Sequence, residues 1–236
     1  MNDLEGALKL SIQGAALLVA LTTGCASAGH LAEYDFRDRS VAVVTIAPAH
    51  PDVFTQGDLW LGDRSFAEAV VRVVAGIARE EEAQRARIRL DSAVAVVDVS
   101  KRMSARVLDQ GARQLRARAV DSVPRSDFEI ELRVRRYGIE AHNWDDQARF
   151  MIDAEVLLLD GESGRVIWKA NVDEDTRVSS SLLGWALPGA LGGFVTAGQL
   201  ASLSVPEMTR ALEGLADFCA DRMIEKLRAG LEKARS

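Results

Sequence analysis

Apolar and polar residues alternate with the period of a strand through the middle of the chain. In FEIELRVRRY, Phe128, Ile130, Leu132 and Val134 alternate with Glu129, Glu131, Arg133 and Arg135. Phe150, Ile152, Ala154, Val156 and Leu158 recur at every second position, as do Val166, Trp168, Ala170 and Val172. A period of two gives each strand one apolar face and one wet face. DGESG at 160–164 reads as a hairpin turn, so these runs predict three antiparallel strands in a meander. Ser40 to Pro48 (SVAVVTIAP) is a continuous β-branched run that predicts a strand buried on both faces, and Ala93 to Asp98 (AVAVVD) predicts a short one. His50 to Asp63, with Pro51, Gly57 and Gly62, reads as a loop.

Elsewhere the period is helical. SFAE at 65–68 is a capping box, and Phe66, Val70, Val73, Val74 and Ile77 follow on one face. That helix is predicted to run to Ala86, in a charged, solvated end (REEEAQRAR). Met103, Val107, Gly111 and Leu115 predict a second helix over 100–117, before Pro124 breaks the chain. SVPE at 204–207 is another capping box, and Met208, Leu212, Leu215, Cys219, Met223 and Leu227 predict a final helix over 205–233. The apolar sheet face needs cover and the amphipathic helices supply it. The expected fold is α+β: an antiparallel three-stranded meander plus one or two further strands, covered by amphipathic helices.

Two segments break the pattern. Leu10 to Leu21 (LSIQGAALLVAL) is uncharged and follows Lys9. It is too short for a spanning helix, which needs about 20 residues, and it matches the apolar region of a secretory signal. Thr22, Thr23, Gly24 and Cys25 follow. These residues resemble the lipobox of bacterial lipoproteins, with leucine replaced by Thr22. That resemblance implies cleavage between Gly24 and Cys25 and acylation of the Cys25 thiol. Ala26 stands where aspartate would favour the inner membrane, so the resemblance implies an outer-membrane anchor on the periplasmic side. A plain cleaved signal and an uncleaved anchor helix are the alternatives. The expected organisation is a signal peptide over 1–24, a tether over 25–39 and a periplasmic α+β domain over 40–236.

The second segment, 178–206, is apolar, glycine-rich and free of charge. Three readings fit it: packing on the domain's own core, a surface for a partner or a second copy, and membrane contact. On the latter two, Leu183, Trp185, Leu187, Leu191 and Phe194 are the candidate contact residues.

Totals narrow the function. The 236 residues carry a net charge of −6, which lacks the basic footprint of nucleic-acid binding. Removing residues 1–24 would leave 28 basic and 33 acidic residues, a charge of −5. Two cysteines (Cys25, Cys219) and three histidines (His30, His50, His142) do not make a zinc motif. Cys219 falls on the apolar helix face and reads as a small buried hydrophobe. There is no G-x-S-x-G, H-E-x-x-H, phosphate-binding loop or dinucleotide fingerprint. The polar groups His142, Asp145 and Asp146, His50 with Asp52, and Asp58, Asp63 and Trp60 read as solvated loops. No catalytic residue, metal or cofactor is expected.

SDFEIELRVRRYGI (126–139), ARFMIDAEVLLLD (148–160) and GRVIWKANV (164–172) are similar to the strand succession of periplasmic lipoproteins of the ABC-transport auxiliary type. The likeness covers residues 40–175. It implies a non-enzymatic accessory or adaptor of an envelope transport or assembly system, anchored to a membrane by lipid and docking an envelope protein. A structural or pore-forming homo-oligomer and an envelope hydrolase are the other classes.

Overall fold

The computed structural model describes residues 30–48, 52–55, 77–141, 145–183 and 193–236. A 3-10 turn at Leu31–Glu33 leads to β1 (Ser40–Ile46) and β2 (Asp52–Thr55). Helices α1 (Ile77–Val94) and α2 (Val99–Leu115) follow, then the short β3 (Arg118–Ala119). Next come the long strands β4 (Phe128–Ala141), β5 (Arg149–Asp160) and β6 (Val166–Arg177). Two short helices, α3 (Ser180–Leu183) and α4 (Ala197–Ala201), precede α5 (Val205–Arg235).

The fold is α+β and its sheet is mixed, in the order β3-β1-β4-β5-β6. The meander is there: β4 pairs antiparallel with β5, and β5 with β6. The further strands are not antiparallel. β1 pairs parallel with β4 and β3, and β2 pairs parallel with the last four residues of β4. Thus β1 and β2 lie in line along one side of β4. A parallel neighbour needs a crossover connection, and the stretch between β1 and β4 contains the helices that make one.

The apolar faces of the meander strands meet α5, which buries Met208, Leu212, Leu215, Cys219, Met223, Leu227 and Leu231 among others. Helix α2 packs its Met103, Val107 and Leu115 face against β1 and α5. Between the two helices runs a ladder of ion pairs. Arg102 holds Asp217 at 3.0 Å, Arg106 holds Asp221 at 2.8 Å, and Gln110 Nε2 donates to Asp221 at 2.8 Å. The partners repeat every four residues on both helices, so the ladder fixes their axial register. Such half-exposed pairs contribute under about 1 kcal/mol each.

Several expectations need correction. Ala93–Asp98 is not a strand: α1 continues through Val94, and Asp98 caps α2 by accepting a hydrogen bond from Lys101 N at 2.8 Å. Ala93 and Val97 face the core while Val96 is 72% exposed. Helix α1 therefore does not stop at Ala86; its predicted start and the box at 65–68 lie outside the described residues. Residues 52–55 form β2 rather than loop. β1 is buried on both faces only at its start, since Ile46 is 57% exposed. Val166 is exposed, because a register shift at Leu158/Leu159 turns it out and brings Ile167 in beside Trp168. A second shift at Val134/Arg136 bulges β4, sets Arg136 opposite Asp153 and points Tyr137 inward.

The expected tether over 25–39 is also revised. His30 N donates to Ile167 O at 3.0 Å, and Leu31 and Phe36 are buried. Tyr34 and Phe36 stack, and both meet the ring of Phe128 edge-on. Residues 30–39 are thus part of the domain.

Gly230 is where α5 lies closest to the sheet. A methyl there would sit 2.9 Å from Trp168 Cε2 and nearer still to Nε1, and the indole is buried. Helix propensity alone favours Gly230→Ala by about 1 kcal/mol, whereas overpacking costs about 1–3 kcal/mol. The ring has nowhere to go, so Gly230→Ala should lower the urea midpoint; a raised midpoint would contradict this packing.

Candidate functional site

The register gathers one group of residues at one end of the sheet. Ser40 pairs with Arg118, Val41 with Phe128, Phe128 with Asp160, and Leu159 with Val166. The starts of β1, β4 and β6 and the end of β5 therefore lie together, under the segment 30–39. Asp127 ties this end down. Its carboxylate accepts from Ser40 Oγ at 2.5 Å and Ser40 N at 2.7 Å, and Arg39 lies 3.3 Å away. The Ser40 hydroxyl and amide, with Arg39, hold the Asp127 carboxyl below its ordinary range. The hairpin turn closes similarly: Asp160 accepts from Ser163 N and Ser163 Oγ, each at 2.8 Å, and Gly164 takes φ +68°. Those bonds depress the Asp160 carboxyl.

Five arginines stand on this rim: Arg37, Arg39, Arg116, Arg118 and Arg165, all exposed. Arg165 donates to Tyr34 Oη and lies 5.8 Å from its ring centroid. Arg116 and Asp38, bonded through Asp38 N to Arg116 O at 3.2 Å, are the two non-glycine residues with positive φ, at 57° and 61°, among the described residues. The side chains of Arg37, Arg116 and Arg118 make no ion pair among the described residues.

The opposite sheet face, away from the helices, is different. Its charges satisfy one another: Arg135 with Asp153 at 2.9 Å, Arg149 with Asp175 at 2.7 Å, and Arg133 with Glu131 and Glu155 at 2.5 and 3.6 Å. Glu129 differs. Burial, and then the charge of Glu131, push its carboxyl above the ordinary range.

The far end of the sheet holds the ends of the charge-free segment. Ala148 N donates to Val195 O, Val178 N to Ala148 O, and Val195 N to Val178 O, at 2.9, 2.7 and 3.0 Å. Val178, Leu183, Val195 and Leu203 are buried in the core. Leu183 is thus a core residue of the fold and not an open contact. Phe194 is half-buried, with the Arg177 guanidinium 5.5 Å from its ring centroid. Trp185, Leu187 and Leu191 lie outside the described residues, as do Gly24 and Cys25.

Of the polar groups singled out in the sequence, Asp52 lies within the described residues, in β2. Asp145 and Asp146 belong to the described residues, while His142, His50, Asp58, Trp60 and Asp63 lie outside them. No group of three or more His, Cys, Asp or Glu among the described residues is placed to hold a metal ion. Cys219 is buried, and burial pushes its thiol far up. No helix among the described residues is long and apolar enough to cross a membrane. The arginine rim was missed in the sequence because its members come from three separate segments. The aromatic pair Tyr34 and Phe36 was the one available signal, since neither suits a free tether.

No family model matches the chain, and no curated protein does. Among solved structures, the chain is similar to the crystal structure of protein XCC0632 from Xanthomonas campestris, of family DUF330. The identity is 16%, the TM-score 0.29, and the match covers 55% of this chain and 65% of that one.

The carboxyl shifts give opposite pH signatures. A carboxyl lowered in the folded state contributes stability above its unfolded value, about 4, and loses it as pH falls. Asp127 is such a group, so Asp127→Asn should flatten the fall in urea midpoint between pH 5 and pH 3. A raised carboxyl does the reverse: Glu129→Gln should raise the midpoint at pH 7, with the gain fading below about pH 4. Profiles parallel to that of the unaltered protein would contradict both assignments.

Proposed function

We propose that the chain is an envelope lipoprotein, held to the outer membrane on the periplasmic side by acyl chains on Cys25. Its domain then serves as a non-enzymatic accessory or adaptor of an envelope transport or assembly system. The observation that supports this most is the order of signals along the first thirty residues. An uncharged apolar run, a small-residue approach and a cysteine are followed, at His30, by a hydrogen bond into the domain.

The chemistry is sufficient for a stable anchor. Each buried methylene contributes about 0.8 kcal/mol, and two or more chains make attachment lasting. The fold supports the accessory role in a second way. Its ion pairs serve helix register and strand pairing, and Asp160 closes the hairpin turn. The strand succession similar to that of transport-auxiliary lipoproteins points the same way.

Mass spectrometry of the N-terminal peptide from membranes of the producing cell tests the reading. The expected peptide begins at Cys25 and carries acyl mass. An intact leader over 1–24, or a free Cys25 thiol, would refute it.

A further inference from the structure

We infer that the rim formed by Arg37, Arg116, Arg118, Arg165 and Tyr34 rests on the phospholipid headgroups of the membrane that holds the anchor, with the sheet standing away from it. This rests on the proposed acylation of Cys25 and assigns to the domain the surface that meets the bilayer.

The length of the connection comes first. Whatever its conformation, the stretch from Cys25 to His30 spans at most about 18 Å. His30 is hydrogen-bonded to Ile167, near the start of β6. The rim end of the sheet therefore cannot leave the headgroup region by more than that. β6 then runs for 12 residues to Arg177, about 36 Å at the usual strand rise. The far end, with Gln147 bridged to Thr196, is beyond the tether's reach when the sheet stands upright.

Charge selects the upright pose. On the flat sheet face most arginines already have carboxylate partners, so laying it on headgroups would exchange satisfied pairs for new ones. On the rim, Arg37, Arg116 and Arg118 are exposed and unpaired among the described residues. Guanidinium groups bind phosphate through paired N–H donors, and tyrosine suits the interface between apolar and aqueous layers. Glu33, Asp35, Asp38 and Glu162 are exposed on the same rim, so it matches zwitterionic headgroups, phosphate to arginine and amine to carboxylate. It does not depend on an excess of anionic lipid.

The test uses the full lipidated chain in phosphatidylethanolamine–phosphatidylcholine vesicles that contain a headgroup spin-labelled lipid. A fluorophore is attached through Glu162→Cys on the rim turn or Gln147→Cys at the far end; Cys219 is buried and does not compete. Quenching at position 162 should exceed that at 147 by about threefold or more. The triple variant Arg37→Gln, Arg116→Gln, Arg118→Gln should bring the ratio toward one, as should about fifteen Gly/Ser residues inserted after Ala26. With Cys25 acylated, equal quenching at both positions or stronger quenching at 147 overturns the rim. A chain that proves unacylated in the same preparation overturns the anchor and the rim together.

Discussion

The structure depends on covering one apolar face of a long antiparallel meander. Strands β4, β5 and β6 present Ile130, Leu132, Phe150, Ile152, Val156, Leu158, Trp168 and Val172, all nearly inaccessible. At about 25 cal/mol per Å² of apolar area removed from water, a face of that size is the largest favourable contribution available to the fold. The 31 residues of α5 reach about 46 Å, long enough to run the length of the strands beneath it. Much else serves to seat that helix: the Ser204–Glu207 box that starts it, Gly230 over the Trp168 ring, and the ion-pair ladder from α2.

Once the helices occupy one face, the chemistry of the molecule divides. The other face becomes a mesh of paired charges. The two ends of the sheet also become unequal, because the chain before β1 closes over one of them while 178–183 and 193–203 close over the other. Both closures are made by backbone hydrogen bonds as well as apolar contact, at Ile167 for the first and at Ala148 for the second. The charge-free segment thus belongs, at least through Val178, Leu183, Val195 and Leu203, to the core. Its apolarity has a folding reason there, independent of any partner.

Which features were readable from sequence follows from what burial imprints on it. The meander strands and the final helix were legible because one buried face leaves a clear period. Ala93–Asp98 was not, because six β-branched and small residues carry no period that separates a strand from a helix end and cap. The inward placement of Val166 failed for a related reason: a register shift reverses the faces, and nothing in VIWKANV marks it. The parallel pairing of β1 was invisible because the partner lies more than eighty residues away. Residues 30–39 looked like a tether through their small and charged members, yet Leu31, Tyr34 and Phe36 were the ones that mattered. The proposal for Cys25 rests on a local sequence pattern alone, whereas the arginine rim exists only after folding.

The proposed contact between the rim and the membrane depends on how near to Cys25 the folded domain begins. Amide hydrogen exchange on the full chain measures that directly. The amides of His30 and Ser40, bonded to Ile167 O and the Asp127 carboxylate, should be protected to an extent approaching that of β4. Exchange across residues 30–39 at the rate of an unstructured peptide, with β4 still protected, would restore a long free tether and release the rim from the bilayer.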